Sequence, residues 1–323
     1  MNLERIFLES VRSILLDHDP AAWKQVKPLD YYGQSANDYV LNCLKTNDKG
    51  LLVAKFGTVE LNNLCAYVAS SKPIKSIPDI WWFVRGYQQL YPNSTFLGLC
   101  NNAGFFPQNI ELGYQWKNLV LEDMVKIDIL GSYIRQEQRF KKQLMNAVKI
   151  QIEGYLAPFL WNNPWTSALR AKRVLVVHPF VDTIAKQYEK RSHLFDNPDV
   201  LPDFSNLQLV KAVQSIAGNG SSTGFSSWFD ALSYMKSEMD KYEYDVALIG
   251  CGAYGMHLAA HAKKRGKIGI HMAGWTQMLF GIYGNRWLKD QPEYAKFIND
   301  YWVRPSDLEK PRNADSIEQG CYW

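Results

Sequence analysis

An α/β fold with a mainly parallel, Rossmann-like sheet is what this 323-residue sequence predicts, and three observations predict it. Short apolar runs alternate with stretches of helical composition along the whole chain. Three of those runs end in turns that open helices, at Gly57-Thr58, at His178-Pro179 and at Gly250–Gly255. The third observation is Tyr244–Gly274, YDVALIGCGAYGMHLAAHAKKRGKIGIHMAG, which reads as one complete strand, glycine turn, helix and strand.

In chain order, the first element is a helix over 3–16, with Ile6, Val11, Ile14 and Leu15 near one face. Acids inside its apolar pattern make it an amphipathic addition, neither a signal peptide nor an anchor. A helix over 35–46, a strand over 51–56 and a helix over 59–69 follow. Pro73, Pro78 and Pro92 bracket a helix from Ile80 to Leu90, and Thr95–Cys100 reads as a second strand ending in the loop Asn101–Gly104. Helical patterns over 117–126 and 134–156 run up to Pro158, Pro164 and a Trp-rich stretch. The seam between an N-terminal half, 1–165, and a C-terminal half, 166–323, is placed there.

Beyond the seam, Arg173–Val177 is a β-branched strand ending at His178-Pro179, followed by a helix from Val181 to about Leu194 and a strand near 207–210. Gly218–Gly224 is a loop that either closes over a ligand or merely links. A helix over 227–241 precedes the glycine unit, whose own parts are a strand at 246–249, a helix at 256–265 and a strand at 267–271. Trp275–Trp323 is an aromatic C-terminal addition carrying Arg286, Arg304 and Arg312. No repeat of fixed period is present.

Composition narrows the class. The chain is 47% hydrophobic and 21% charged, with net charge +4 and no basic block, so nucleic acid is not indicated as a partner. Five cysteines without metal-ligand spacing suit a reducing cytoplasm. No segment reaches the ~20 apolar residues of a membrane span, which limits membrane contact to the periphery. The mildly basic balance suits anionic substrates such as nucleotide diphosphates or lipid-linked acceptors. Among the 11 tryptophans, several lie in polar company and suit sugar stacking as well as core packing.

In a parallel sheet, ligands gather outside the carboxyl ends of the strands, so the three turns face one crevice. Glu60 sits where a helix N-terminus stabilises a carboxylate; it suits a metal ligand, a base, or an ordinary first-turn acid. His178 and His271 each end a strand on the ligand side, as a base, a hydrogen-bond donor to a phosphate, or a structural hydrogen-bonder. Arg191, late in the helix after His178, is either an anion contact or a solvated helix end. The G-x-G-x-x-G spelling of Gly250–Gly255 lets backbone N–H groups approach a phosphate. A dinucleotide dehydrogenase also wants a carboxylate about 20 residues on, and that position falls near Ile270 and His271. A turn made only for close helix–sheet packing is the remaining alternative.

Two segments taken together, Lys55-Phe56-Gly57-Thr58-Val59-Glu60-Leu61 and Leu248–Leu258, resemble the GT-D-type glycosyltransferases, a bacterial family of nucleotide-sugar enzymes. Phe56, Gly57, Glu60 and Leu61 match the family's R-F-G-D-G-E-L-like motif, Gly250 and Gly252 its glycine turn, and Ile270–Gly274 its following strand end. Thr58 stands where the first acid of the family's D-x-E pair belongs, and a neutral hydroxyl is a poor ligand for a hard cation. Asp123 and Asp128 are the alternative acids. Ile127–Ser132 is also similar to the family, with no role attached.

The resemblance implies transfer of a sugar from a nucleoside-diphosphate donor to a hydroxyl of a surface glycan or lipid-linked acceptor. It implies a cytoplasmic enzyme, either free or held at the inner membrane surface. Glu60 would be the acid at the reaction centre, with His178 assisting. Gly57, Thr58, Gly250, Gly252, Ala253, Tyr254 and His271 would hold the donor, and Mn²⁺ or Mg²⁺ would be the metal if Glu60 ligates one. The competing readings are another nucleotide-dependent enzyme, such as an oxidoreductase, and a non-catalytic glycan-binding protein. Donor sugar, acceptor, stereochemical course and oligomeric state are not specified by these residues.

Overall fold

The structure is a computed structural model that describes residues 3–15, 28–72, 75–317 and 320–323; Leu16 and Pro73 of the readings above lie outside the described residues. Its helices and strands run in the order α1 (Leu3–Leu15), α2 (Gly33–Thr46), β1 (Leu51–Ala54), α3 (Thr58–Ser70), α4 (Ile77–Val84), α5 (Phe96–Ala103), α6 (Leu112–Met124), β2 (Ile129–Ser132), β3 (Val148–Gln151) and α7 (Glu153–Leu156). Then come β4 (Arg173–His178), α8 (Val181–Glu189), β5 (Asn206–Lys211), α9 (Trp228–Met239), β6 (Val246–Ile249), α10 (Gly255–Lys264), β7 (Ile268–His271) and α11 (Trp275–Leu279).

Four-residue runs such as LLVA and VALI are buried on both faces, which is why they read as continuous apolar segments rather than as alternating ones. They form one seven-stranded, all-parallel sheet in the order β3-β2-β1-β7-β6-β4-β5. Both halves of the chain contribute to it, because β1 pairs with β7. The arrangement is Rossmann-like, with helices on both faces. The connections β1–β2, β2–β3, β5–β6 and β6–β7 all step toward the β3 edge and pack in the core layer of Leu52, Trp116, Phe140, Trp228 and Leu258. The connections β3–β4 and β4–β5 step the other way and pack in the opposite layer, around Val53, Trp165, Ile184 and Leu248. A single crossover hand requires that division of faces.

Three expectations need correction, and one strand adds to them. Thr95–Cys100 is helical: Phe96, Leu99, Cys100 and Ala103 are buried at helical spacing, and Gly104, at φ 80°, stops the helix. The expected helix over 134–156 is a 3₁₀ turn over Arg135–Phe140, then β3 and α7. The buried Glu137 carboxylate accepts from the Tyr133 and Ile134 N–H groups and the Ser132 hydroxyl, turning the chain before a long helix can start. β2 was not read as a strand; its Gly131 lies where a β-carbon would overlap the Tyr155 ring. The helix expected over Ile80–Leu90 starts earlier and ends at Val84, with Ser76 accepting from the Asp79 N–H.

Among the described residues, no helix is long and apolar enough to cross a membrane. The aromatic C-terminal piece packs onto the layer that holds α8 and α11, burying Trp287 and Trp302.

Helix α10 approaches β7 closely enough that a β-carbon at Gly269 would sit 2.7 Å from Ala259 Cα. The obstacle is helix backbone, which cannot swing aside. We therefore expect Gly269→Ala to destabilise the fold by roughly 1–3 kcal/mol through overpacking. Urea denaturation measures this, and an unchanged midpoint would contradict the packing described.

Candidate functional site

Four strand ends build one cleft of about 220 Å³ at the carboxyl edge of the sheet. β1 continues into Lys55–Gly57 and the start of α3, which contribute Lys55, Gly57, Thr58 and Glu60. β4 contributes His178, β6 contributes Gly250 and Gly252, and β7 contributes His271. Tyr133 after β2, Ser215 after β5, and Gln277, Arg286, Tyr322 and Trp323 of the C-terminal piece close the sides. Of the residues expected at the site, Glu60, His178, Gly57, Thr58, Gly250, Gly252, Tyr254 and His271 lie together here. Ala253 instead lines a smaller adjoining cavity.

Glu60 is the third residue of α3, and its carboxylate folds back over the turn. A β-carbon at Gly57 would overlap it, so glycine is what permits the fold-back. Among the described residues Glu60 makes no hydrogen bond and no ion pair, and it lies in the first turn of α3, at the positive end of the helix. Lys55 likewise forms no ion pair among the described residues: its ammonium lies 5.9 Å from the centre of the Tyr133 ring. Tyr133 is fixed by donating to the Phe56 carbonyl at 2.9 Å and by its own N–H on Glu137, whose carboxyl burial pushes up to about 7. The cleft thus holds an ammonium and a carboxylate that are not neutralised by protein partners.

The two strand-end histidines are buried and neutral, and the glycine turn is shaped around them. His178 Nδ1 accepts from the Phe180 N–H at 3.0 Å, which places the ring proton on Nε2. A β-carbon at Gly250 would lie 2.7 Å from His178 Cδ2 and 2.5 Å from the Ala273 carbonyl oxygen. A β-carbon at Gly255 would overlap the His271 ring. The first and third glycines therefore make room for imidazoles, the close-packing alternative weighed above, and only Gly252, at φ 58°, is held by turn conformation. Burial lowers both histidines to about 3; at His271 the neighbouring Lys55 and His257 push the same way, and a backbone contact with Lys55 opposes them. Neither ring nitrogen of His271 has a partner of good hydrogen-bond geometry.

Tyr254 is a pillar of the site. It stacks on Trp228 with centroids 4.9 Å apart, and its hydroxyl pairs with Ser215 at 3.0 Å. Arg286 is the second cation of the cleft, its guanidinium 4.6 Å from the Tyr322 ring centre and its Nη2 donating to Cys321 Sγ at 3.4 Å. Trp323 is the tryptophan that reaches the cleft; Trp165, Trp287 and Trp302 are core residues.

Several expectations fall elsewhere. Arg191 pairs with Asp203 away from the cleft, the solvated helix end allowed for above. Asp128 accepts from the Leu52 N–H and pairs with Lys263 before β2 begins, at the opposite edge of the sheet. Asp123 is buried and holds His257 Nδ1 at 2.6 Å and Lys126 at 2.8 Å. Gly218–Gly224 lines a separate groove, and its Asn219 donates to the Arg312 carbonyl. Thr58 is exposed at the rim of the cleft. Among the described residues no group of three or more His, Cys, Asp or Glu side chains could hold a metal ion, so a cation at Glu60 would take most of its ligands from substrate phosphates and water. Two further residues of the cleft and its adjoining cavity, Lys55 and His257, carry no role in the sequence reading. A lysine ending a β1-type strand beside the acid turn is the signal that could have found the first; the second had none, since its partner lies 134 residues away.

Comparison of the chain with protein-family models, with curated proteins and with solved structures found no match.

The depressed histidines carry a pH signature. The unfolded chain takes up these protons near 6.5, the folded chain only near 3, so the unfolded state holds more protons between those values. Stability then falls as pH drops from 6.5 toward 3, by roughly 1.4 kcal/mol per pH unit for each histidine. Replacing either by Gln is expected to flatten the pH dependence of the urea midpoint between pH 6 and 4. Slopes identical to wild type would contradict neutral burial of these rings.

Proposed function

We propose that the chain is a glycosyltransferase that moves a sugar from a nucleoside-diphosphate donor to an acceptor hydroxyl. The observation that carries the reading is the meeting of the partnerless carboxylate of Glu60 with Lys55, Arg286 and the Gly250–Gly252 backbone in one cleft. The two motif segments on which the resemblance rests, nearly 200 residues apart in sequence, both contribute to it. Transfer to a hydroxyl needs a base and stabilisation of a leaving diphosphate, and those groups are of the right kinds.

In this reading the acceptor oxygen attacks the anomeric carbon and its proton passes to Glu60. The bond between that carbon and the phosphate oxygen breaks, and the diphosphate leaves with the electron pair. Lys55 and Arg286 hold the charge that develops on it, in a site where the buried histidines remain neutral. No step is assigned to a metal. The acceptor class, a surface glycan or lipid-linked saccharide, follows from the resemblance alone. An oxidoreductase is less well supported, because His271 occupies the position of the ribose-binding acid and its ring fills the space beside Gly255.

Thermal-shift titration with nucleoside diphosphates and nucleotide-sugars, with and without Mn²⁺ or Mg²⁺, tests this. One nucleotide is expected to raise the midpoint without metal. Lys55→Met should weaken that binding by roughly tenfold, the effect of about 1.4 kcal/mol. Glu60→Gln should keep binding and lower transfer by roughly a hundredfold or more. Stabilisation by nicotinamide dinucleotides alone would favour the oxidoreductase, and glycan binding without any nucleotide response would favour a binding protein.

A further inference from the structure

A second cavity, of about 20 Å³, adjoins the cleft and shares Lys55, Gly57, Glu60, Gly252 and His271 with it. Its remaining walls are largely apolar except at Trp116 and His257. Trp116 and His271 are at least nineteen-twentieths buried; the Trp116 indole N–H lacks a hydrogen-bond partner, and the His271 ring nitrogens have none of good geometry, only a backbone contact with Lys55. Orphaned polar groups are costly in such surroundings, and several of them around one void call for an occupant that can both donate and accept.

His257 supplies the next link. Its Nδ1 lies 2.6 Å from Asp123 Oδ2. Burial raises the Asp123 carboxyl, but His257 and Lys126 more than offset this and leave it below the usual carboxylate range. An ionised Asp123 can only accept, so Nδ1 donates to it and Nε2 is the ring nitrogen left outside the pair. Trp228 packs edge-on against the ring at 5.4 Å and helps fix its plane.

We propose that this cavity is a built site for one ordered water, and that the water joins the Asp123–His257 pair to His271 and Glu60 as a proton relay. The void exceeds the roughly 10–15 Å³ a water needs, and Trp116, His257, His271 and Glu60 offer the two to four partners that hold one. The role of the relay rests on the transferase reading; the water site does not. In the relay, Glu60 passes the acceptor's proton to the water as the water gives one of its own to His257 Nε2. Asp123 holds the imidazolium so formed, and the proton returns to solvent through the same chain when the cleft opens to product release. Asp123 and His257 are positioning residues, since neither reaches the main cleft.

Nitrogen NMR of the histidine rings, with water-to-protein NOE measurements on the ligand-free full chain, tests the site directly. The expected result is a proton on His257 Nδ1 and an NOE from a long-lived water to the Trp116 indole N–H. A proton on Nε2 alone, or no water signal at that N–H, would overturn the site. Asp123→Asn, which keeps the shape, should speed exchange of the Nδ1 proton. For the relay, His257→Gln should lower kcat by roughly tenfold with donor KM unchanged and should alter the solvent isotope effect. Unchanged kcat and isotope effect would overturn the relay. Should no nucleotide-sugar be turned over by wild type, the transferase reading and the relay fail together, while the NMR result still decides the water site.

Discussion

Everything at the cleft depends on the pairing of β1 with β7. It is a short ladder, Leu51 opposite Ile268, Leu52 opposite Gly269 and Val53 opposite Ile270. On one side of it lies β3-β2-β1, drawn from the first half of the chain, and on the other lies β7-β6-β4-β5 from the second. The turn bearing Glu60 belongs to the first group and the glycine turn to the second. Parallel register points both turns out of the same edge, and the close seat of α10 over Gly269 sets how near they come.

Around that junction the charge balance is unusual for a buried site. His178 and His271 carry no charge, Glu60 has no partner among the described residues, and the Lys55 ammonium and the Arg286 guanidinium each lie over an aromatic ring. A lysine over a tyrosine face keeps its charge available in a way that a lysine paired with an aspartate does not. In surroundings of lowered dielectric, the field of such a group on an incoming anion is stronger than at an open surface. The glycines of the turn contribute to this indirectly, by admitting the two neutral imidazoles at the sheet edge.

Much of the architecture was legible because its signals are local. Val246–Ile249, Arg173–His178 and Leu51–Ala54 are apolar runs of strand length bounded by turns, and the helix after Gly250–Gly255 has a clear start. Thr95–Cys100 misled because six apolar-rich residues fit either period; the deciding fact was the exposure of Leu97, 59%, which lies in tertiary packing. β2 and β3 were missed since ILGS is short and carries a glycine that answers to Tyr155 from α7, while VKIQ follows a polar stretch of good helix formers. At the cleft, residues that end strands were readable from the α/β rule. The Asp123–His257 contact, the unpaired state of Lys55 and the part played by Trp116 were not, because each depends on which distant side chain arrives beside it.

The central position of β1 has a consequence for how the molecule is made. During synthesis from the N-terminus, β1, β2 and β3 can pair as soon as residue 151 has emerged, but the other edge of β1 has no partner until Ile268–Ile270 appear more than a hundred residues later. For that interval a fully buried strand, Leu51–Ala54, presents open backbone donors and acceptors and apolar side chains on both faces. At ordinary ribosomal speeds of roughly 5–20 residues per second, the exposure lasts on the order of ten seconds. The nascent first half is therefore the stage at which this protein is most open to mispairing and most in need of a holding chaperone.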